Sequence, residues 1–482
     1  MIPWLLILSS ATFLPISLYP EEYIQPKWMI SVWAVFIIFT VQSGFGKRKW
    51  DVQKLPLATV LVVCYICTFK PFENGTALSL HLCILLPMLH RAQSSTTKTI
   101  RWFALIVELW SIITILYTQC RTGYLYLLLY FTLQHIIRGK STMYIFLLLT
   151  IIFLFAATNY SKHDSSRGRW FILQRTIEII VKRPLKGYGK YGFQKEYMTA
   201  QSEYFRKHPD SVYSALADDI KHPLNEFLLL SVNGGVGCAL LLSLLLSIPF
   251  FIKPQNGYLP LRDSLMAVAV FSFFSYPLLY PLSWLVIIGN WMNLLKSHPI
   301  RLKKIFPLLF LCFLLFAYRD IILRRWGKVS RLSKDGHPKS MMVYYKPLYS
   351  KLHNNPYFLY DYAIESFYAT DFENSYQLAK ECEEYVSSYN LSLLLGDICR
   401  QLHRYDESIS YYHTANWMCP VRFAPLEGMV QTYDILGDSI RADSVRNIIL
   451  NKEIKIASPY VINVINKAKK PSNNIIPQIR NL

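Results

Sequence analysis

Three short stretches hold residues whose types and spacing suit chemistry on an anionic substrate. The first is Cys120-Arg121-Thr122-Gly123, where an arginine stands in a tight turn between two apolar runs. An arginine at such a boundary can be a snorkelling anchor. Anchoring arginines collect on the opposite side from the one expected for Arg121, so a functional guanidinium is the stronger alternative. The second is Ser166-Arg167-Gly168-Arg169-Trp170, followed by Lys182-Arg183-Pro184-Leu185-Lys186-Gly187-Tyr188-Gly189 and Gly192-Phe193. Guanidinium forks pair with phosphate oxygens, Lys186 adds a point charge, and turns at Gly187 and Gly189 let backbone N–H groups approach an anion. The plain alternative is a solvated basic helix start and an ordinary turn. The third is Lys221-His222-Pro223-Leu224-Asn225-Glu226-Phe227, leading into Asn233-Gly234-Gly235-Val236-Gly237. Proline is favoured at the first helical position, which predicts His222 as the N-cap. With an ordinary pKa of ~6.5, His222 suits removal of a proton from a hydroxyl, or else it merely caps the helix. Glu226 either orients that ring or complements the helix start.

The elements that position these residues are apolar. In 482 residues, 52% are hydrophobic and only 17% charged, too apolar a balance for an ordinary soluble enzyme. Runs long enough to cross ~30 Å of hydrocarbon are expected near 3–19, 28–44, 55–70, 76–90, 102–119, 123–137, 142–158, 224–252, 264–278, 280–295 and 304–322. The first lacks a basic leader and a small-residue cleavage site, so it reads as a retained helix. Basic residues collect in alternate short loops: Lys47, Arg48, Lys49 and Lys54; Arg91, Lys98 and Arg101; Arg138 and Lys140; Lys253 and Arg262; and Lys296, Arg301, Lys303 and Lys304. The positive-inside rule then predicts a cytoplasmic N-terminus. With an odd number of spans, the 159–223 loop and the tail emerge together on the outer side. The net charge of +20 is partly this topology signal. The rest suits anionic membrane lipids, and nucleic acid is excluded as a partner for such a chain.

Of nine cysteines, six lie in or beside expected spans. Among these, the Cys64–Cys67 spacing falls inside an apolar helix and reads as packing. Cys382, Cys399 and Cys419 in the tail leave open one disulfide and one free thiol. The long loop carries 12 Lys and Arg against 7 Asp and Glu up to Lys221. Trp170, Ile172, Leu173, Ile177, Ile180 and Val181 recur at helical spacing until Pro184 and Gly187 stop the helix. Phe193 to Phe205 is expected to lie along the membrane surface. The tail has no spanning run and holds a repeat. Taking Tyr389 as position 1 of a 34-residue unit puts Leu395, Gly396, Ser408, Tyr412, Ala415 and Pro420 on tetratricopeptide-repeat positions. Phe372, Glu373, Ser375, Ala379 and Cys382 echo Tyr405, Asp406, Ser408, Tyr412 and Ala415 at an offset of 33. A generic helical bundle is the alternative. Repeat surfaces dock partners, so a periplasmic protein partner is expected.

In this order, Arg121, the segment Arg169-Trp170 through Arg183-Pro184-Leu185-Lys186-Gly187-Tyr188-Gly189 to Phe193, and His222 to Glu226 followed by Asn233-Gly234-Gly235-Val236-Gly237 resemble the O-antigen ligase and polymerase superfamily. Protein O-oligosaccharyltransferases belong to the same superfamily. The motifs cover about residues 100 to 250. The resemblance implies an all-α, polytopic membrane protein of the GT-C type in the bacterial inner membrane: spans over 1–158 and 224–323, a periplasmic catalytic loop at 159–223, and a solenoid-like tail at 324–482. It also implies inverting, metal-independent glycosyl transfer from undecaprenyl diphosphate, without a cofactor. Arg121 and Arg169 would hold the diphosphate and His222 would act as base, with Arg167, Lys186, Gly187, Gly189, Asn225 and Glu226 lining the substrate site. Where the family commonly has a histidine directly before the asparagine, this chain has Leu224. The acceptor would be the lipid A core for a ligase, the growing glycan for a polymerase, or a Ser or Thr side chain for a protein transferase; ligase is favoured. A transporter would also carry buried polar groups such as His81 and Glu108. No inverted repeat of halves is visible to support that reading.

Overall fold

A computed structural model describes residues 28, 31–32, 74–94, 98–138, 152, 156, 163–252, 259–294, 302–336 and 338–469. The expected spans at 3–19 and 55–70, most of 28–44 and of 142–158, and the Cys64–Cys67 pair lie outside these residues. In chain order the helices are α1 (Gly75–Ala92), α2 (Lys98–Tyr117), α3 (Arg121–Arg138), α4 (His163–Lys182), α5 (Gly192–Lys207), α6 (Glu226–Gly234), α7 (Val236–Phe251), α8 (Leu259–Phe274) and α9 (Pro281–Leu294). They continue as α10 (Leu302–Lys334), α11 (Pro338–Leu352), α12 (Pro356–Tyr368), α13 (Phe372–Tyr385), α14 (Tyr389–Gln401), α15 (Tyr405–Met418), α16 (Ala424–Ile435), α17 (Ser439–Asn451) and α18 (Pro459–Ala468). No strand occurs among the described residues.

The chain divides into two units: one of residues 1–163, 224–230 and 237–328, the other of 164–223, 231–236 and 329–482. In the first, α1 is the central helix. Leu82, Cys83, Ile84, Leu85 and Leu86 are consecutive and fully buried, so all sides of α1 are covered. It packs against α2, α3 and α8. The Ser264 hydroxyl donates to the Ile84 carbonyl at 2.6 Å, and Ser79 and Thr118 share a hydrogen bond of 2.7 Å. Polar groups sit inside: His90 Nδ1 lies 3.1 Å from buried Glu108, which Gln93 also contacts. Apolar ones face outward: Trp102, Ile106 and Ile113 of α2 and Leu240, Leu241 and Leu244 of α7 are all more than half exposed. Among the described residues, α2 is the one helix long and apolar enough to cross a membrane; α7 and Pro281–Met292 are shorter apolar helices. The run expected as one span from 224 to 252 is two helices, broken at Gly235. The helix expected to end near 322 continues as α10 to Lys334.

In the second unit the long loop and the tail fold together. Helix α5 packs against α13 and α15 of the tail and buries Phe193, Tyr197, Met198, Gln201 and Phe205. Its apolar face is therefore spent on protein, which corrects the expected membrane-surface position. The tail has three helix pairs, α12/α13, α14/α15 and α16/α17, and the first two share a serine bond to the preceding helix. The Ser375 hydroxyl donates to the Ala363 carbonyl at 2.7 Å, and Ser408 to that of Gly396 at 2.8 Å. Each pair turns on a residue in the left-handed region, at Thr370, His403 and Gly437. Side-chain caps start α12, α13, α14, α17 and α18 at Asn355, Asp371, Ser388, Asp438 and Ser458. The pairs recur at 33 and then 34 residues, from Thr370 to His403 to Gly437, and the tail is a tetratricopeptide-like repeat of three pairs where sequence showed one clear unit and fainter copies. Cys382, Cys399 and Cys419 are buried free thiols on separate helix ends and turns, with no disulfide among them.

Small residues at the repeat positions are required by close packing. The fully buried Tyr412 ring lies between two helices: a Cβ added at Gly396 would stand 2.6 Å from it, and one at Gly428 2.5 Å. Gly396→Ala is expected to cost about 1–3 kcal/mol by overpacking. This should appear in circular dichroism as earlier thermal loss of helix; an unchanged melt would contradict the packing.

Candidate active site

The site residues fall into both units, and each is described in its own. In the first unit, Arg121 is the opening residue of α3, just after the left-handed Gln119 that turns the chain out of α2. The turn is held close to α1, since a Cβ at Gly75 would meet Thr118 at 3.2 Å and one at Gly123 would meet Ser79 at 3.4 Å. The same unit places Asn225 and Glu226 at the start of α6. The Asn225 side chain accepts from Leu228 N at 3.0 Å, so Asn225 is the N-cap, and its amide donates to the Phe273 carbonyl at 3.1 Å. Buried Glu226 accepts from Leu278 N at 3.0 Å. His222 is therefore not the N-cap that Pro223 suggested. The reason is local: Leu224 adopts φ of 55°, a left-handed conformation that costs a leucine on the order of 1–3 kcal/mol. Such a residue interrupts the helical path and delays the start of α6 to Glu226.

In the second unit His222 lies in the irregular stretch before Leu224. Burial of its ring holds its pKa down at about 4. The imidazole is thus neutral, and able to accept a proton, throughout the neutral range. Arg167 and Arg169 lie in the first two turns of α4, Arg167 half-buried and Arg169 exposed. Two positions apart on a helix, their side chains leave in different directions.

The glycine-rich turn does something other than cradle an anion. Tyr188 N donates to the Val232 carbonyl and Gly189 N to that of Asn233, both at 2.8 Å; Val236 N returns a bond of 2.8 Å to Pro184, and Gly187 N bonds Arg183 at 3.2 Å. Asn233 Oδ1 accepts from Phe193 N at 3.0 Å, and its amide donates to the Lys190 carbonyl. The segments 184–193 and 232–236 form a backbone clasp. Only glycine fits at its closest points: Gly187 and Gly235 have φ of 62° and 85°, and a Cβ at Gly235 would lie 2.0 Å from the Leu185 carbonyl oxygen. The N–H groups of Gly187 and Gly189 are spent inside the protein, which corrects their reading as phosphate ligands. Lys186 stays exposed at the tip.

The tail grips the same loop near His222. Arg422 pairs with Asp218 and lies over the Tyr389 ring at 4.5 Å; Asp219 accepts from Tyr389 N at 3.4 Å, and burial raises its pKa. Lys455 donates to the Ala215 carbonyl at 2.8 Å, and Gln201 donates to those of Met418 at 2.6 Å and Asp218 at 3.0 Å. Sequence reasoning missed Asn233, Asp218, Asp219, Tyr389 and Arg422 as positioning groups. For Asn233 the Asn-Gly-Gly run was the available signal; the others are paired only by folding across distant positions.

The described fold and site define an all-helical protein in which a long loop bearing basic residues and a histidine is clasped at its base and packed on a helical-repeat tail. Residues 106–243 match a family described as O-antigen ligase, and that stretch includes Arg121, Arg169, His222 and the clasp. No curated protein matches the chain. Among solved structures, a chain of "Crystal structure of APC/C hetero-tetramer Cut9-Hcn1" is similar at 10% identity over 92% of this chain and 94% of that one, with a TM-score of 0.29, too low to carry an argument.

Gly235→Ala is expected to open the clasp and release the 184–193 turn. Trypsin should then cut after Lys186 or Lys190 in the variant under conditions that leave the wild type intact; equal digestion would count against the clasp.

Proposed function

We propose that this protein is a membrane glycosyltransferase that moves a glycan from undecaprenyl diphosphate to an acceptor hydroxyl at the periplasmic face of the bacterial inner membrane. The O-antigen ligase match over residues 106–243 carries this reading. The outward-facing apolar side chains of α2 and α7 support membrane residence. The packing of the 164–223 loop on the tail supports one compartment for both, since a compact unit cannot be divided by a bilayer.

In the proposed reaction the acceptor oxygen attacks the anomeric carbon, the bond from that carbon to the diphosphate breaks, and the configuration inverts. Neutral His222 takes the hydroxyl proton. Arg121 and Arg169 supply guanidinium charge to the leaving diphosphate, a role in which a forked donor outperforms a point charge. Arg167 and Lys186 add to the basic character of the loop, while Asn225 and Glu226 fix where α6 begins. The favoured acceptor is the lipid A core, which makes the protein an O-antigen ligase. A polymerase or a protein O-oligosaccharyltransferase would use the same step with another acceptor. The repeat tail supports docking of a periplasmic protein partner.

Deleting the gene and complementing it tests the reading. Loss of long polymer from lipid A supports a ligase, single-unit chains a polymerase, and unmodified proteins a protein transferase; an unchanged glycan profile in all three assays would sink the proposal. His222→Ala should lower transfer about 10²- to 10⁴-fold. Arg121→Lys should lower it about 10- to 100-fold, the cost of a charged forked contact; full activity there would favour a mere anchor.

The pH profile is a second check. A base whose pKa is lowered stays competent down to that value, so the acid limb of kcat/KM should have its midpoint near 4. A midpoint near the ordinary ~6.5 would contradict the burial of the ring.

A further inference from the structure

The second unit contains a cavity of about 420 Å³ whose walls come from the loop and the tail. This volume is within the usual range of small-ligand pockets. It lies where three tail helices begin: Tyr389 opens α14, Phe423 precedes α16, and Tyr460 stands in the first turn of α18. Asp218 from the loop and Arg422, Lys455 and Ser458 from the tail add polar lining.

We propose that this cavity is a glycan-binding subsite, taking one or more sugar residues of the polysaccharide at a distance from the bond being made. The inference rests on the glycosyl-transfer reading above and adds a place for the sugar chain. The Tyr460 ring, about half exposed, offers flat apolar surface to the C–H face of a pyranose, while the Tyr389 and Phe423 rings are buried in the walls. The carboxylate and the guanidinium are both two-pronged and planar, which suits pairs of neighbouring hydroxyls. A free phosphate is a poorer occupant, because the Asp218 carboxylate shares the lining and opposes an anion. The groups are also set before a ligand arrives. Arg422 is stacked on Tyr389 at 4.5 Å and paired with Asp218, and the Tyr460 hydroxyl donates to Glu427 at 2.7 Å. Fixed side chains spend less conformational entropy on binding. Asp218 is four residues before His222 in the chain, so a sugar held here engages the same loop that carries the base.

The test uses the full-length protein in lipid nanodiscs. The probe is lipid-free oligosaccharide released by mild acid from the host cell's own surface polysaccharide. Saturation-transfer NMR and calorimetry should show binding to wild type, with sugar protons receiving saturation from aromatic side chains. Tyr460→Ala should weaken binding about tenfold, whereas Tyr460→Phe, which keeps the ring, should stay near wild type. Lys455→Met, away from the aromatic walls, gives a second variant, also expected to weaken binding. His222→Ala should bind as wild type does. Absence of wild-type binding, or equal affinity in Tyr460→Ala and Lys455→Met with unchanged melting, would overturn the subsite. The transfer reading is scored separately: transfer lost in His222→Ala while wild type binds no oligosaccharide would refute the subsite alone, and normal transfer in His222→Ala would refute the base while the binding result stood.

Discussion

The backbone clasp between residues 184–189 and 232–236 is the constraint on which the loop architecture depends. It joins three main-chain hydrogen bonds to two made by the Asn233 side chain, and two glycines decide whether it forms at all. Its consequence is topological. Phe193 and Asn233 are bonded to each other, so everything between them is a closed excursion with fixed ends. His222 lies inside that excursion. A loop of this length anchored only by its covalent ends would spread its histidine over many positions, and ordering it would cost entropy at every turn.

The tail supplies the second restraint, and burial outweighs charge there. The Arg422–Asp218 pair is well exposed, and such pairs contribute about 0–1 kcal/mol. By contrast Phe193, Tyr197, Met198 and Phe205 on α5 are almost completely buried. Large apolar side chains contribute about 1.5–3 kcal/mol each when removed from water. The apolar face of α5 therefore holds the loop to the repeat, and the polar contacts at Gln201, Asp218 and Asp219 set its register. The tail therefore forms part of the framework around the loop that carries His222.

Much of this was legible in the sequence, because it depends on local periodicity. The α4 helix and its stop at Pro184, the 34-residue register around Tyr389, and the helical runs at α1, α2, α3, α8 and α9 all follow from spacing that a single helix displays. What stayed hidden depends on pairing between distant segments. The Gly187 turn read as an anion cradle because nothing local reveals that its N–H groups meet Val232 and Asn233. The start of α6 was misplaced because a leucine in the left-handed region defies propensity, so Pro223 looked like a first helical residue. Helix α5 looked suited to a membrane surface because an apolar face shows that something covers it without saying what.

The loop carrying His222 and the repeat tail fall in one compact unit, and the central proposal is that this unit lies on the periplasmic side. The most direct measurement places a specific protease site at Asp210 in the loop and, in a second protein, at Asp335 near the start of the tail, then adds protease to spheroplasts and to inverted vesicles. The account predicts that both sites are cut in spheroplasts and spared in sealed inverted vesicles. Cleavage of the two sites from opposite sides, or of both only from the cytoplasmic face, would contradict it.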